Sequence, residues 1–133
     1  MNNALNLIGR LLIAALFLPA GLAKLAGFDG TVGYIESVGL PLPAVAATVA
    51  LAVEILGSVA LILGFQTRVT ASVLAVFTMV ASIFFHAFWA AAPEQAFVQQ
   101  LLFFKNIGVI GGLLVLVSSG AGAWSLEAKK EAQ

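Results

Sequence analysis

The stretch from Ala44 to Gly64 carries no charged side chain except Glu54, which lies at its centre. A helix of about 20 predominantly apolar residues is long enough to cross the hydrocarbon core of a bilayer. A carboxylate in the middle of such a helix costs roughly 2.5–3.5 kcal/mol on insertion scales. The stretch therefore predicts a transmembrane helix whose Glu54 needs a partner supplied by the protein.

The composition excludes a water-soluble protein. Of the 133 residues, 62% are hydrophobic and 9% are charged, with a mean hydropathy of +1.09, whereas soluble domains average about 25% charged residues. Net charge is zero, so we expect membrane lipid rather than nucleic acid as a partner. The sequence contains no cysteine, which excludes disulfides and cysteine-ligated clusters within the chain. One histidine makes no metal site by itself, and we predict none.

Hydropathy divides the chain into four spans, and the fold class that follows is all-α. We predict one domain covering residues 1–133, an integral membrane four-helix bundle with spans at about 5–26, 44–64, 69–91 and 101–119. Between the first two spans, apolar residues recur every three or four positions, which predicts a short amphipathic helix at the membrane interface. Lysine and arginine near the span ends place both termini in the cytoplasm by the positive-inside rule.

Ionisable residues of the four spans concentrate at the midplane and in the outer half. Glu54 lies near the midplane, with Lys24, His86 and Lys105 further out by the helical rise. We expect Lys105, or alternatively Arg10, to meet Glu54, because long basic side chains reach several ångströms. A structural ion pair that fixes helix register is the alternative to a functional role for Glu54. Lys24 is interpreted mainly as a side chain that extends to the outer interface.

Small residues predict close helix contacts. Gly108 and Gly112 form a G-x-x-x-G pattern in the fourth span, which is typical of a face against which another transmembrane helix packs.

The order and spacing of several short patterns resemble the DoxX family over nearly the whole chain. They are Phe17…Gly21-x-x-Lys24, Gly39-Leu40-Pro41-x-Pro43, Glu54-x-x-Gly57, Thr67-Arg68, Phe85-His86-x-Phe88-Trp89, Phe104-Lys105-Asn106…Gly111-Gly112 and Gly120-x-Gly122-x-x-Ser125-Leu126. The resemblance implies a small four-helix protein of the bacterial inner membrane. Some relatives are subunits of a thiosulfate:quinone oxidoreductase or partners of sulfur-handling and oxidative-stress enzymes, so it also implies a role near redox chemistry.

Three classes of function stay open at the level of sequence. The first is a quinone-linked oxidoreductase subunit or partner, in which Lys105 and His86 donate hydrogen bonds to the quinone and Glu54 orients Lys105 and relays protons. The candidate catalytic residues are Glu54, His86 and Lys105. The candidate cofactor-binding residues are Lys24, Phe85, His86, Trp89, Lys105 and Asn106. The second class is a small-solute or proton transporter built around Glu54, and the third is a non-catalytic membrane anchor for a soluble enzyme. A soluble redox enzyme and further copies of the chain are the expected protein partners.

Overall fold

A computed structural model describes residues 2–133, and its regular structure is helical. The elements are α1 (Asn3–Ala26), α2 (Phe28–Ser37), α3 (Pro43–Leu63), α4 (Thr67–Phe85), α5 (Pro93–Ser119) and α6 (Leu126–Glu131), with a 3-10 turn at Phe88–Ala90. By length and composition, α1, α3, α5 and the segment Thr67–Ala90 can each cross a membrane. The all-α class and the four spans are therefore confirmed, and α2 lies where the sequence predicts the short connecting helix.

Local chemistry sets the helix ends. The Asn2 side chain caps α1 by accepting a hydrogen bond from the Leu5 N–H at 3.1 Å. Pro43 begins α3 at a position where its missing N–H costs nothing. Gly64 ends α3 in the left-handed conformation, at φ 65°. A side chain at Gly64 would also collide with Arg10 and Ser125, so both its conformation and its close surroundings require glycine.

The third and fourth spans differ in detail from the prediction. The third span, expected at about 69–91, agrees with the segment Thr67–Ala90, but it is not one continuous helix, because α4 ends at Phe85, where the backbone at His86 leaves the helical region (φ −126°, ψ 39°). The 3-10 turn then folds back, with the Phe88 ring 5.4 Å from that of Phe103. The fourth span begins at Pro93 rather than near residue 101, so the segment expected to be a loop belongs to α5.

The spanning helices pack in the order α1, α3, α4, α5. Contacts are most extensive between α1 and α3 and between α4 and α5, α3 joins the two pairs, and α1 barely touches α5. Gly21 permits the close approach of α1 to α3, since a Cβ there would lie 3.2 Å from the backbone N of Ile55. The prediction that Gly108 and Gly112 form a helix contact is wrong, because nothing among the described residues lies within 4 Å of a Cβ built at either position.

The two ends of the molecule differ. At the end that holds both chain termini, here called the terminal end, a packed core joins all four spans. The core residues are Phe17, Leu61, Ala71, Leu74, Ala75, Leu113 and Leu116. The opposite end, here called the loop end, carries α2 and the 3-10 turn. Towards that end the helices enclose a cavity instead of a packed core.

Arg10 fastens the terminal end together. Its side chain is completely buried and donates to the carbonyl oxygens of Leu61 (2.8 Å) and Ile62 (3.2 Å), which lie in the last turn of α3. A further N–H donates to the Trp124 carbonyl at 2.5 Å, and Nε donates to Asn6 Oδ1 at 3.0 Å. The Leu61 carbonyl also accepts the Gly64 N–H at 3.2 Å, and the guanidinium adds donors for the carbonyl groups at the end of α3 and for the Trp124 carbonyl.

Candidate ligand-binding site

Glu54 is held by Lys24. The Lys24 Nζ lies 3.0 Å from Oε2 and 3.1 Å from Oε1 of the carboxylate. Glu54 is 5% exposed, whereas the Lys24 side chain is 30% exposed towards the loop end. The ion pair is possible because Gly21, one turn before Lys24, brings α1 against α3 beside Glu54.

The prediction that Lys105 or Arg10 pairs with Glu54 is therefore wrong. Lys105 lies on an exposed face of α5 and makes no hydrogen bond or ion pair with any of residues 2–133. Arg10 is committed to carbonyl oxygens at the terminal end. The depth in the membrane estimated from the sequence favoured Lys105 over Lys24 as the partner of Glu54, because Lys105 is deeper. Depth alone does not say which helices are neighbours. Since α1 packs on α3 and α5 packs on α4, Lys24 is the lysine that faces Glu54.

The ion pair borders a cavity of about 510 Å³ towards the loop end. Most of its wall is apolar, from α1, α2, α3 and α4, and α5 contributes only Lys105 and Asn106. Six of the sequence-predicted site residues meet there. They are Lys24, Glu54, Phe85, His86, Lys105 and Asn106. Trp89 does not line the cavity, because it lies in the 3-10 turn beyond the end of α4 and is largely exposed.

Three hydrogen bonds involve the polar groups of the wall or their direct partners. The Asn106 amide donates to Ser82 Oγ at 2.9 Å, and that hydroxyl donates to the Thr78 carbonyl at 2.7 Å. His86 Nδ1 lies 2.9 Å from Gln99 Oε1. Asn106 and His86 therefore present fixed polar atoms beside the cavity.

The sequence did not indicate the part of the wall that α2 supplies. Thr31, Tyr34 and Ile35 line the cavity, and the Tyr34 ring lies 5.1 Å from that of Phe85. The amphipathic pattern predicted a helix at the membrane interface. An apolar stripe alone does not distinguish packing on lipid from packing on the ends of other helices. Ile35, one of the apolar positions of that pattern, is 5% exposed.

The residues present fit a quinone ring. Ligand pockets typically measure about 300–1,000 Å³ and combine apolar walls with a few polar groups, as this cavity does. A quinone carbonyl accepts hydrogen bonds, and the ammonium of Lys105 and the free N–H of Asn106 donate them. Phe85 supplies an aromatic face. His86 also lines the cavity, and a ring nitrogen of a histidine donates or accepts a hydrogen bond according to its tautomer.

Comparison with known proteins is consistent with this architecture. The DoxX family model matches residues 5–87. The inner membrane protein YphA of Escherichia coli is 34% identical over 92% of this chain and 88% of its own length. The inner membrane protein YqjF of the same organism is 37% identical over 91% of this chain and 88% of its own. A surfeit locus protein 4 homolog of Schizosaccharomyces pombe is 32% identical over 53% of the chain, which is 24% of that protein.

No solved structure matches the chain significantly. The family match covers more than half of the chain, and two relatives align over nearly all of it. The four spans agree with the membrane location that those relatives' names state. The chain belongs to the DoxX family and is a protein of the bacterial inner membrane.

Proposed function

We propose that this protein is the quinone-binding membrane subunit of an oxidoreductase system. The observation that carries the proposal is the cavity towards the loop end, where an apolar wall meets Lys24, Lys105, His86 and Asn106. The quinone would supply the transfer of electrons and protons. The protein's residues hold the ring and position hydrogen-bond donors and acceptors around it.

Lys105 is the residue best suited to contact a quinone oxygen. It lines the cavity and has no partner among residues 2–133, so a ligand would not have to displace an existing ion pair. Lys24 differs because its ammonium is bound to Glu54. In this proposal Glu54 holds Lys24 at the cavity wall, which replaces the expected role of orienting Lys105.

Electrons must come from outside the chain. With no cysteine and one histidine, the sequence offers no thiol pair or bis-histidine site of its own. A soluble redox enzyme at the loop end would reach the cavity by the shortest path. By the positive-inside rule that end faces away from the cytoplasm, because Arg68, Lys129 and Lys130 lie at the terminal end.

The packed core disfavours the transporter alternative. A pathway through the molecule would have to cross the cluster that includes Leu61, Leu74 and Leu113, each of which is completely buried. It would also have to open the end that Arg10 fastens. The anchor alternative predicts that a soluble enzyme co-purifies but that no quinone binds.

Titration of the purified protein in neutral detergent with decylubiquinone tests the proposal. We expect saturable binding that weakens about tenfold or more in Lys105→Met, since a hydrogen bond to a charged group contributes about 1.5–3 kcal/mol. Lys129→Met is the matched control, because Lys129 is an exposed lysine outside the cavity. Absence of saturable binding in the wild type, or equal affinity in both variants, contradicts the proposal.

A further inference from the structure

The charges that line the cavity do not balance. Lys24 and Lys105 contribute two positive charges and Glu54 contributes one negative charge, and no other acidic residue lines the wall. Lys24 neutralises Glu54 directly, with both carboxylate oxygens within 3.1 Å of its Nζ. The excess positive charge therefore belongs to Lys105, which has no acidic partner among residues 2–133.

An unpaired ammonium within a membrane span favours an anion. Charge in the hydrocarbon region is costly unless it is paired or hydrated. Lys105 lies thirteen residues into α5, beside the amide of Asn106, which can donate a second hydrogen bond to the same group. A carboxylate or phosphate oxygen would meet both donors.

The cavity also opens towards the lipid. Val49 of α3 and Val80 and Phe84 of α4 line its wall, yet they are 54%, 48% and 44% exposed. Residues that both line a cavity and remain exposed lie at its mouth. In a span, that exposed surface faces acyl chains, so the mouth between α3 and α4 opens sideways into the bilayer.

Together, these features describe a site for an amphiphile. We infer that the cavity binds a membrane lipid with an anionic head group, whose head meets Lys105 and Asn106 and whose chain leaves between α3 and α4. The inference rests on the same cavity as the proposed quinone site. It further specifies that the preferred head group is anionic and that the acyl chain of the lipid leaves between α3 and α4. It applies equally to a fatty acid and to an anionic phospholipid.

Binding to purified protein in neutral detergent, measured by native mass spectrometry and by thermal shift, tests the inference. The probes are palmitate, hexadecanol and dioleoyl phosphatidylglycerol. We expect the wild type to prefer palmitate over hexadecanol about tenfold or more, and Lys105→Gln to abolish that preference. Lys129→Gln should keep it. Binding of phosphatidylglycerol instead of palmitate, with the same dependence on Lys105, supports the anionic head group and identifies a phospholipid as the source.

A pair of substitutions on α4 tests the route of the chain. Val80→Trp should block the mouth and weaken binding, whereas Val76→Trp should not, because Val76 is also exposed one turn away (65%, against 48% for Val80) but does not line the cavity. Equal effects of the two substitutions would overturn the lateral opening. Equal wild-type affinity for palmitate and hexadecanol, without binding of phosphatidylglycerol that depends on Lys105, would overturn the anionic head group.

Parallel titration with decylubiquinone separates the two proposals. Quinone binding without a preference for anions overturns only the inference made here. Anion-dependent binding of palmitate without quinone binding overturns only the proposed function. If neither decylubiquinone nor any of the lipid probes binds, the cavity is not a ligand site and both proposals are wrong.

Discussion

Gly21 lies so close to Glu54 that a Cβ added to the glycine would stand 3.0 Å from the Cβ of the glutamate. This contact sets the spacing between α1 and α3, and it places Lys24, three residues further along α1, within reach of the carboxylate. The ion pair beside the cavity thus depends on a glycine that carries no polar group. The contact between α1 and α3 at Gly21 is therefore the condition for the ion pair between Lys24 and Glu54.

Gly21→Ala should destabilise the protein by about 1–3 kcal/mol, because the added methyl group would also press on the Ile55 backbone, which cannot move aside. Thermal unfolding in detergent measures the loss. Gly9→Ala is the matched control on the same helix, since a Cβ at Gly9 meets nothing within 4 Å. A loss of the same size in Gly9→Ala would attribute the effect to the helix backbone rather than to the contact.

Lys24→Met should cost about 3–5 kcal/mol, since it leaves the buried carboxylate of Glu54 without a cation. Glu54→Gln should cost less, because the Lys24 side chain is partly exposed and can turn towards the interface. The double variant should recover much of the loss. Pairing Glu54→Gln with Lys105→Met instead should give additive effects. Strong coupling between Glu54 and Lys105 in this cycle would show that the ion pair described here is not the one that forms in a membrane.

The sequence predicted the class of the fold because each span is long and apolar. These properties can be read from each segment without knowing which helices are adjacent. Six of the seven candidate site residues line the cavity, since polar side chains within spans avoid lipid, but most of the apolar wall was not predicted. The sequence did not predict the partner of Glu54, which depends on which helices are adjacent. The break after Phe85 was missed because the residues that follow are as apolar as a helix would be, and packing of Phe88 on α5 decides the turn.

Arg10→Lys should destabilise the protein strongly, by about 3 kcal/mol or more, because a buried ammonium cannot reach all four acceptors of the guanidinium. Arg68→Lys provides the comparison. Arg68 also donates to the last carbonyls of a helix, at 2.6 Å to Val117 and 2.7 Å to Ser118, but it is exposed. We expect a loss below about 1 kcal/mol there, since water can replace the donor. Equal losses in the two variants would mean that burial does not set the strength of these contacts.

Gly112→Leu should leave the stability of the isolated chain unchanged, because nothing among the described residues lies within 4 Å of a Cβ built at that exposed position. Thermal unfolding should be measured together with the oligomeric state in detergent. Gly57→Leu is the contrasting variant, since a Cβ at Gly57 already meets the Leu74 side chain at 3.1 Å. Destabilisation in Gly112→Leu that accompanies a loss of oligomer would show that this face of α5 contacts another copy.

Single cysteines test the orientation of the chain in the membrane. The natural sequence contains none, so each introduced thiol is unique. Cysteines at Ser37 and Gln95, both exposed at the loop end, should react with an impermeant reagent in intact cells, and a cysteine at Gln133 should react only after lysis. Labelling of residue 133 in intact cells would reverse the orientation and, with it, the side from which a redox partner reaches the cavity.

The bonds of Arg10 also set an order of assembly. Translation delivers α1 first, but the carbonyl groups that Arg10 requires belong to residues 61, 62 and 124, which are made later. The contacts of Arg10 are therefore complete only after the segment around Trp124 has docked, and a ribosome that stalls just after α5 leaves a chain whose first helix is not yet locked.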